Sequence, residues 1–397
     1  MTSSLSARLR RLWLDVHLWI GVGLLIAIVP ISASGAILVW KAPLDRMMHA
    51  DRYAVSGEAA LPAGRYVAAA REAFAGRADF TQLRLPEKAG DPVVAVGRLK
   101  GEVAPGARPR SLTVWIDPPT ARVLAAADTS QSAMQWLHRL HGSLLIPEVG
   151  RKVVGWIGWA MFVSCATGLW LWWPRNGALL KALRWRRGPS TLFNLHHTIG
   201  FWICLPLAVL SLTGVYISFP QTSRAVFGVQ PQSQDRAPAG RPGRAEGKAG
   251  GPDKRASGGA PQGRFAPPLA TPRLTIDQAV TVAAARADGA RVISVSAPTV
   301  GREPAWRVQV EQPGQATPAT LQVVDGSGEV KPDRGGGGDP VSRWMRNIHD
   351  GGDTGLLWQT IIVLGGVAPV ILALSGVVMW LRRRSRRLAI TRATKEG

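Results

Sequence analysis

The chain has 397 residues and a formal net charge of +22, from 48 Lys and Arg against 26 Asp and Glu. At 46% hydrophobic residues it is too apolar to be disordered throughout, and its two Cys exclude a disulfide scaffold and any Cys-rich zinc or iron–sulfur site. The charge alone fits a nucleic-acid partner, but only 19% of residues are charged and 16 Trp stand against 3 Tyr, so the location of charge and apolar residues decides.

Four stretches are apolar over the roughly 20 residues a helix needs to cross a bilayer: 12–40, 153–173, 199–219 and 355–381. The first is too long for the apolar core of a signal peptide, and no small-residue cleavage pattern follows Trp40. Three basic segments flank these spans. They hold Arg8, Arg10 and Arg11; Arg175, Lys181, Arg184, Arg186 and Arg187; and Arg382, Arg383, Arg384, Arg386, Arg387, Arg392 and Lys395, against one acid, Glu396. With four spans all three segments share a face, and the positive-inside rule makes that face cytoplasmic. Most of the +22 is therefore a topology signal, and no nucleic-acid partner is expected.

The chain also matches itself. A shift of 179 residues lays His17 on His196, Gly21 on Gly200, Ser32 on Ser211 and Gly35 on Gly214; a shift of 208 lays Trp136 on Trp344, His141 on His349, Gly158 on Gly366, Gly168 on Gly376 and Trp172 on Trp380. The unit reads as helix, outside domain, helix, used twice. Residues 66–126 and 274–331 each open on an Ala-rich helical stretch, 66–74 and 276–287, and continue into strand-like alternation near 92–98 and 111–116, and near 306–310 and 320–324. The expected fold is an α-helical integral membrane protein with four transmembrane helices, internally duplicated, plus two small α+β outside domains.

In chain order the expected parts are a basic N-terminus 1–11, a first transmembrane helix 12–40, an outside domain 41–135, a His-bearing approach and second helix 136–173, and a basic loop 174–194. A third helix 195–219, a disordered Gly/Pro-rich linker 220–270, a second outside domain 271–333, a His-bearing approach and fourth helix 341–381, and a basic tail 382–397 follow.

Six of the seven His lie near span ends: His17, His196 and His197 on the basic side, and His138, His141 and His349 on the other. Imidazole among lipid tails needs a partner, and one such His reads as an interhelical hydrogen bond. Two at matched depth on matched helices form a diametric pair, the arrangement that bis-imidazole ligation of haem iron requires. The paired Gly residues either let helices approach or leave room for a flat macrocycle. His138 and His141, three apart on one helix face, are also a candidate zinc or copper site, with no acid or thiol to complete it. No Cys-x-x-Cys-His, nucleotide-binding or hydrolase pattern is present, which leaves non-covalent b-type haem. One straight helix from His349 to Leu381 would lift the outer site above the bilayer core, unless Pro147 and Gly351-Gly352 break the approaches.

Four motifs, "DVHLWIG" at 15–21, "WLHRLHGSLL" at 136–145, "NLHHTIGFW" at 194–202 and "WMRNIHDG" at 344–351, together with outside modules ending in "VWIDPPTARVL" and "VVDGSGEV", resemble the PepSY-associated transmembrane family. Its members include bacterial inner-membrane ferric-siderophore reductases. The resemblance implies two b-type haems, PepSY-like periplasmic domains, cytoplasmic termini, a ferric chelate or siderophore reduced at the periplasmic face, and electrons from a cytoplasmic or quinol donor. It makes His17 and His196 the inner ligands and His141 and His349 the outer ones, the same histidines being the iron ligands. His197 rivals His196, because the family commonly has His followed by Arg there, and His138 rivals His141. The alternatives are a non-enzymatic PepSY binding or regulatory module and a metal transporter, the latter disfavoured because no acid lies in the central part of any span.

Overall fold

The structure, a computed structural model, describes residues 5–102, 109–174, 188, 190–222, 266–288, 290–312, 318–332, 340–352 and 354–396. The basic loop from Arg175 to Arg187 and most of the expected linker, 223–265, lie outside the described residues. The described helices are α1 (Leu5–Val39), α2 (Lys41–Met48), α3 (Ala63–Phe74), α4 (Ala133–Ser143), α5 (Gly150–Trp172), α6 (Thr191–Ser218), α7 (Ile276–Arg286), α8 (Pro340–Asp350) and α9 (Gly355–Glu396). The strands are β1 (Ala78–Arg84), β2 (Val93–Leu99), β3 (Ser111–Ile116), β4 (Val123–Asp128), β5 (Arg291–Ser296), β6 (Ala305–Glu311), β7 (Ala319–Val324) and β8 (Val330–Pro332). The chain divides into two compact units, a helical one of Met1–Leu44, Gln131–Val229 and Asp339–Gly397, and one of Asp45–Ser130 and Gln230–Gly338 that carries the sheet.

Among the described residues of the helical unit four helices are long and apolar enough to cross a membrane: Ala7–Val39, Gly150–Trp172, Thr191–Ser218 and Gly355–Arg386. α9 continues past the expected end at 381 to Glu396. Arg, Leu, Ala, Lys and Glu sustain a helix, and neither Gly nor Pro intervenes before Gly397. Two glycines set close helix crossings. A Cβ on Gly366 of α9 would lie 2.7 Å from the Ser32 carbonyl oxygen and 2.7 Å from the Ala36 Cβ of α1, and one on Gly158 of α5 would meet Val215 and the Ser211 carbonyl of α6 at 2.9 and 3.4 Å. Ser32 and Ala36 stand 179 residues before Ser211 and Val215, so the two crossings use matched positions.

Neither approach runs straight into its span. α4 starts on Ser132, whose hydroxyl accepts the Gln135 amide at 3.2 Å, and stops at Leu144 in the left-handed region, followed by Leu145 and Glu148 with φ of 60° and 56°. α8 stops at Gly351, with φ of 73°, whose amide donates to the Asn347 carbonyl at 2.9 Å. The left-handed conformation suits Gly and costs an ordinary residue about 1 kcal/mol, so the turn after α4 carries strain that the turn after α8 avoids. Both breaks let the short helices fold back beside the spans.

The unit with the sheet departs from the expected pair of small domains. Its eight strands form one antiparallel sheet in the order β4-β3-β2-β1-β5-β6-β7-β8. The seam is β1 against β5, with Gln82 opposite Ser296, Leu83 opposite Val295 and Arg84 opposite Ser294. Each four-stranded half ends in an edge strand, and joining those edges satisfies backbone groups that two separate domains would leave open. One core serves both halves, running from Tyr66, Phe74 and Leu83 through Val114 and Ile116 to Ala279, Val295, Trp306, Val308 and Val323. α3 and α7 both pack into it. α7 begins with a capping box in which the Thr275 hydroxyl accepts the Gln278 amide and the Gln278 side chain accepts the Thr275 amide.

The seam strands were absent from the expected elements. β1 shifts register between Phe80 and Gln82, and β5 between Val292 and Ser294. A bulge adds one residue to a strand and breaks the period-two alternation by which strands are read from sequence.

Candidate functional site

α1, α5, α6 and α9 each carry a hydroxyl residue followed by glycine: Ser34-Gly35, Thr167-Gly168, Thr213-Gly214 and Ser375-Gly376. Each glycine seats one imidazole. A Cβ on Gly35 would lie 2.7 Å from Cε1 of His141, and one on Gly168 would lie 3.1 Å from Cε1 of His17. The matched distances are 3.1 Å between Gly214 and His349 and 3.6 Å between Gly376 and His196. A methyl group at the first three positions would push on the ring, so these glycines are seats for side chains, whereas Gly158 and Gly366 serve the helix crossings.

The ring nitrogens follow the same plan. His17 Nδ1 bonds to the Ser164 carbonyl at 3.2 Å and the Thr167 hydroxyl at 3.0 Å. His349 Nδ1 bonds to the Leu210 carbonyl at 3.1 Å and the Thr213 hydroxyl at 3.0 Å. His141 Nδ1 bonds to the Ile31 carbonyl at 2.8 Å, and His196 Nδ1 to the Ser375 hydroxyl at 2.9 Å. A carbonyl only accepts, so Nδ1 of His17, His141 and His349 carries the proton. For His196 the hydroxyl decides: Ser375 donates its hydrogen to the Leu372 carbonyl at 3.1 Å, which leaves its oxygen to accept from Nδ1. All four imidazoles are thereby held as the tautomer with a bare Nε2, the nitrogen that binds metal when Nδ1 is committed to a hydrogen bond.

The rings meet in two pairs. His17 and His196 have ring centres 6.4 Å apart with planes at 89°, and His141 and His349 have centres 5.9 Å apart with planes at 45°. A metal–imidazole bond is about 2 Å and the ring centre lies roughly 1 Å beyond the nitrogen, so two imidazoles trans on one metal have centres about 6 Å apart. Both pairs have that spacing. From His17 to the Ile31 and Gly35 seats is about 21–27 Å of helix at ~1.5 Å per residue, against a bilayer core of ~30 Å. The outer pair therefore lies beside α1 and α6 and not above them, the approaches being broken near Pro147 and at Gly351-Gly352 as the second of the two alternatives required.

The donor set narrows the choice of metal. Among the described residues no group of three or more His, Cys, Asp or Glu could hold an ion. Two protein ligands per site suit a metal that brings its own equatorial ring, as haem does, and do not suit a zinc or copper cage. Two glycines near the inner pair leave their surroundings open. Gly21, one turn from His17, has nothing within 4 Å of its Cβ position, and at Gly200, one turn from His196, the nearest atom is a Leu372 methyl at 3.9 Å.

The rival histidines stand elsewhere. His197 packs edge-on against Phe193 with ring centres 4.1 Å apart, and His138 is on the exposed side of α4. Cys165 and Cys204 are buried, the Cys204 thiol donating to the Cys165 carbonyl at 3.2 Å. The carbonyls of Ile31, Ser164, Leu210 and Leu372 and the hydroxyls of Thr167, Thr213 and Ser375 were not foreseen. Their signal was present, because 34 and 213, and 167 and 375, hold hydroxyl residues in the same registers that align the histidines.

Four apolar helices and two facing imidazole pairs define a polytopic membrane protein with two paired-histidine sites. The chain belongs to the PepSY-associated TM family, whose model matches residues 14–383. Among curated proteins, none matches the chain.

Proposed function

We propose that this chain is a bacterial inner-membrane oxidoreductase that holds two b-type haems and passes electrons to a ferric chelate of the siderophore class at its periplasmic side, for iron acquisition. One observation carries the reading: four imidazoles stand in two facing pairs at metal-ligation spacing, each with Nδ1 committed and Nε2 bare. His17 and His196 hold the inner group, and His141 and His349 the outer one. When bound, haem supplies a one-electron Fe(III)/Fe(II) couple at each site. The protein's own part is to orient the four rings, to keep each in the ligating tautomer and to surround the sites with apolar helices.

Matched contacts at shifts of 179 and 208 support descent of the two halves from one duplicated helix–domain–helix unit. The three basic segments support cytoplasmic termini, a periplasmic sheet unit and an electron donor that is cytoplasmic or a membrane quinol. Reduction of the chelated iron favours release, because Fe(II) is a less charged acceptor that binds hard oxygen ligands more weakly, and no acid–base triad is needed.

The test is a reduced-minus-oxidised visible spectrum of the purified full chain. Bands of b-type haem are expected, with half the haem content in His17→Ala, His196→Ala, His141→Ala or His349→Ala and full content in His138→Ala and His197→Ala. A protein purified without such bands ends this reading. Reoxidation of the reduced protein by an added ferric hydroxamate, without oxygen, tests the substrate class separately.

A further inference from the structure

Every span carries a hydroxyl one residue before the glycine that seats an imidazole, but the four hydroxyls are not used alike. Thr167 donates its hydrogen to the Val163 and Ser164 carbonyls at 2.9 and 3.0 Å, Thr213 to the Val209 and Leu210 carbonyls at 2.9 and 3.0 Å, and Ser375 to the Leu372 carbonyl at 3.1 Å. With its single hydrogen spent on its own helix, each oxygen can only accept from the facing Nδ1–H. Ser34 makes the same bonds to its helix, to the Pro30 and Ile31 carbonyls at 2.6 and 3.0 Å, but no bond joins it to His141. His141 instead sits closer to its glycine than the other three rings do, and gives its proton to the Ile31 carbonyl at 2.8 Å.

We propose that Thr167, Thr213 and Ser375 are positioning residues that tune the two metal sites, and that the idle Ser34 makes those sites unequal: the inner pair of imidazoles donates two bonds to hydroxyls and the outer pair one. This rests on the reading of the paired histidines as haem ligands. An acceptor at Nδ1–H raises the basicity of Nε2 and so favours the more charged ferric iron. Removing a hydroxyl therefore weakens Fe(III) more than Fe(II) and raises the potential of its own site. Outer-shell changes of this kind alter metal affinity by about 10–100-fold, and each tenfold difference between the two oxidation states moves a one-electron potential by about 59 mV.

The experiment is a spectroscopic redox titration of the purified, haem-loaded full chain. The wild type resolves into two one-electron steps. Thr167→Val and Ser375→Ala each raise one step, and Thr213→Val raises the other, by an amount of the order of tenfold in the relative binding of the two oxidation states. Thr167→Ser and Thr213→Ser restore the wild-type values, which a general packing defect would not allow. Ser34→Ala leaves both steps in place. Unmoved potentials in all three hydroxyl deletions overturn the proposal, and so does a Ser34→Ala shift equal to theirs. A wild type that binds no haem fails at the earlier reading instead, so the two failures are distinguishable.

Discussion

The four seat glycines differ in how much room they leave, and that difference is measurable. At Gly35 an added methyl would meet two atoms of the His141 ring, at 2.7 and 2.9 Å, in a site bounded by the helix on one side and the His349 ring on the other. At Gly376 the same methyl lies 3.6 Å from the His196 ring, an ordinary contact. On the proposed haem reading, Gly35→Ala is therefore expected to displace His141 and lower the haem content to about half that of the wild type, while Gly376→Ala leaves it unchanged. Pyridine haemochrome analysis of the two purified variants checks this; equal haem content in both would remove the seating role. The histidines themselves were legible in the sequence through paired registers. The same registers favoured His196 over His197 and His141 over His138, but the direction in which a helix points each neighbour is read only from the structure.

At the scale of elements, the two halves of the sheet unit fasten their helices with the same device. The buried Asp117, just after β3, accepts the amide and hydroxyl of Ser56 at 2.7 and 2.6 Å, and the buried Asp325, just after β7, accepts the amides of Arg273 and Leu274 and the Trp306 indole N–H at 2.8, 3.0 and 3.2 Å. In each half a carboxylate thus ties a strand end to the segment that leads into α3 or α7. Burial opposes the charge on Asp117, but the Ser56 and Thr120 bonds outweigh it and hold the carboxyl below its usual range. A lowered folded-state pKa contributes stability that is present in full above the unfolded value of about 3.9 and is lost as pH falls through the folded value. Asp117→Asn should cost about 1–3 kcal/mol near neutrality, with the gap to wild type closing in acid as pH falls below the unfolded value and the wild-type carboxylate takes up its proton. Hydrogen exchange of the β3 and α3 amides in the full chain follows it, and a gap that does not narrow in acid would rule out the carboxylate as its source. Asp117 and Asp325 occur in the sequence within turn signals, which mark where a strand ends and not what the side chain ties down.

At the scale of the whole molecule, the charge pattern sets an expectation for orientation that the helices alone do not. If the basic segments are cytoplasmic, a cysteine placed at Ser385, on the exposed basic stretch of α9, escapes an impermeant thiol reagent in intact cells with a permeabilised outer membrane. A cysteine at Ser327, in the exposed turn after β7, reacts. The native Cys165 and Cys204 are buried and give little background. Labelling at Ser385 with protection at Ser327 would invert the proposed topology and separate the sheet unit from a periplasmic substrate.

Length and apolar composition by themselves determined the four spans, since a membrane-crossing helix is a local property of about 20 residues. The two registers likewise paired His17 with His196 and His141 with His349, because matched helices bring matched positions to matched depth. Only the tertiary structure decided the rest. The β1–β5 seam joins segments more than 200 residues apart across two bulges that erase the strand period. The break after α8 falls at Gly351, a residue the sequence marks, but the break after α4 rests on left-handed Leu144, Leu145 and Glu148, which no propensity marks. The tautomer of each imidazole depends on a carbonyl of a neighbouring helix or, for His196, on a hydroxyl whose hydrogen is already spent. Such contacts are between helices, and a sequence states only what lies along one.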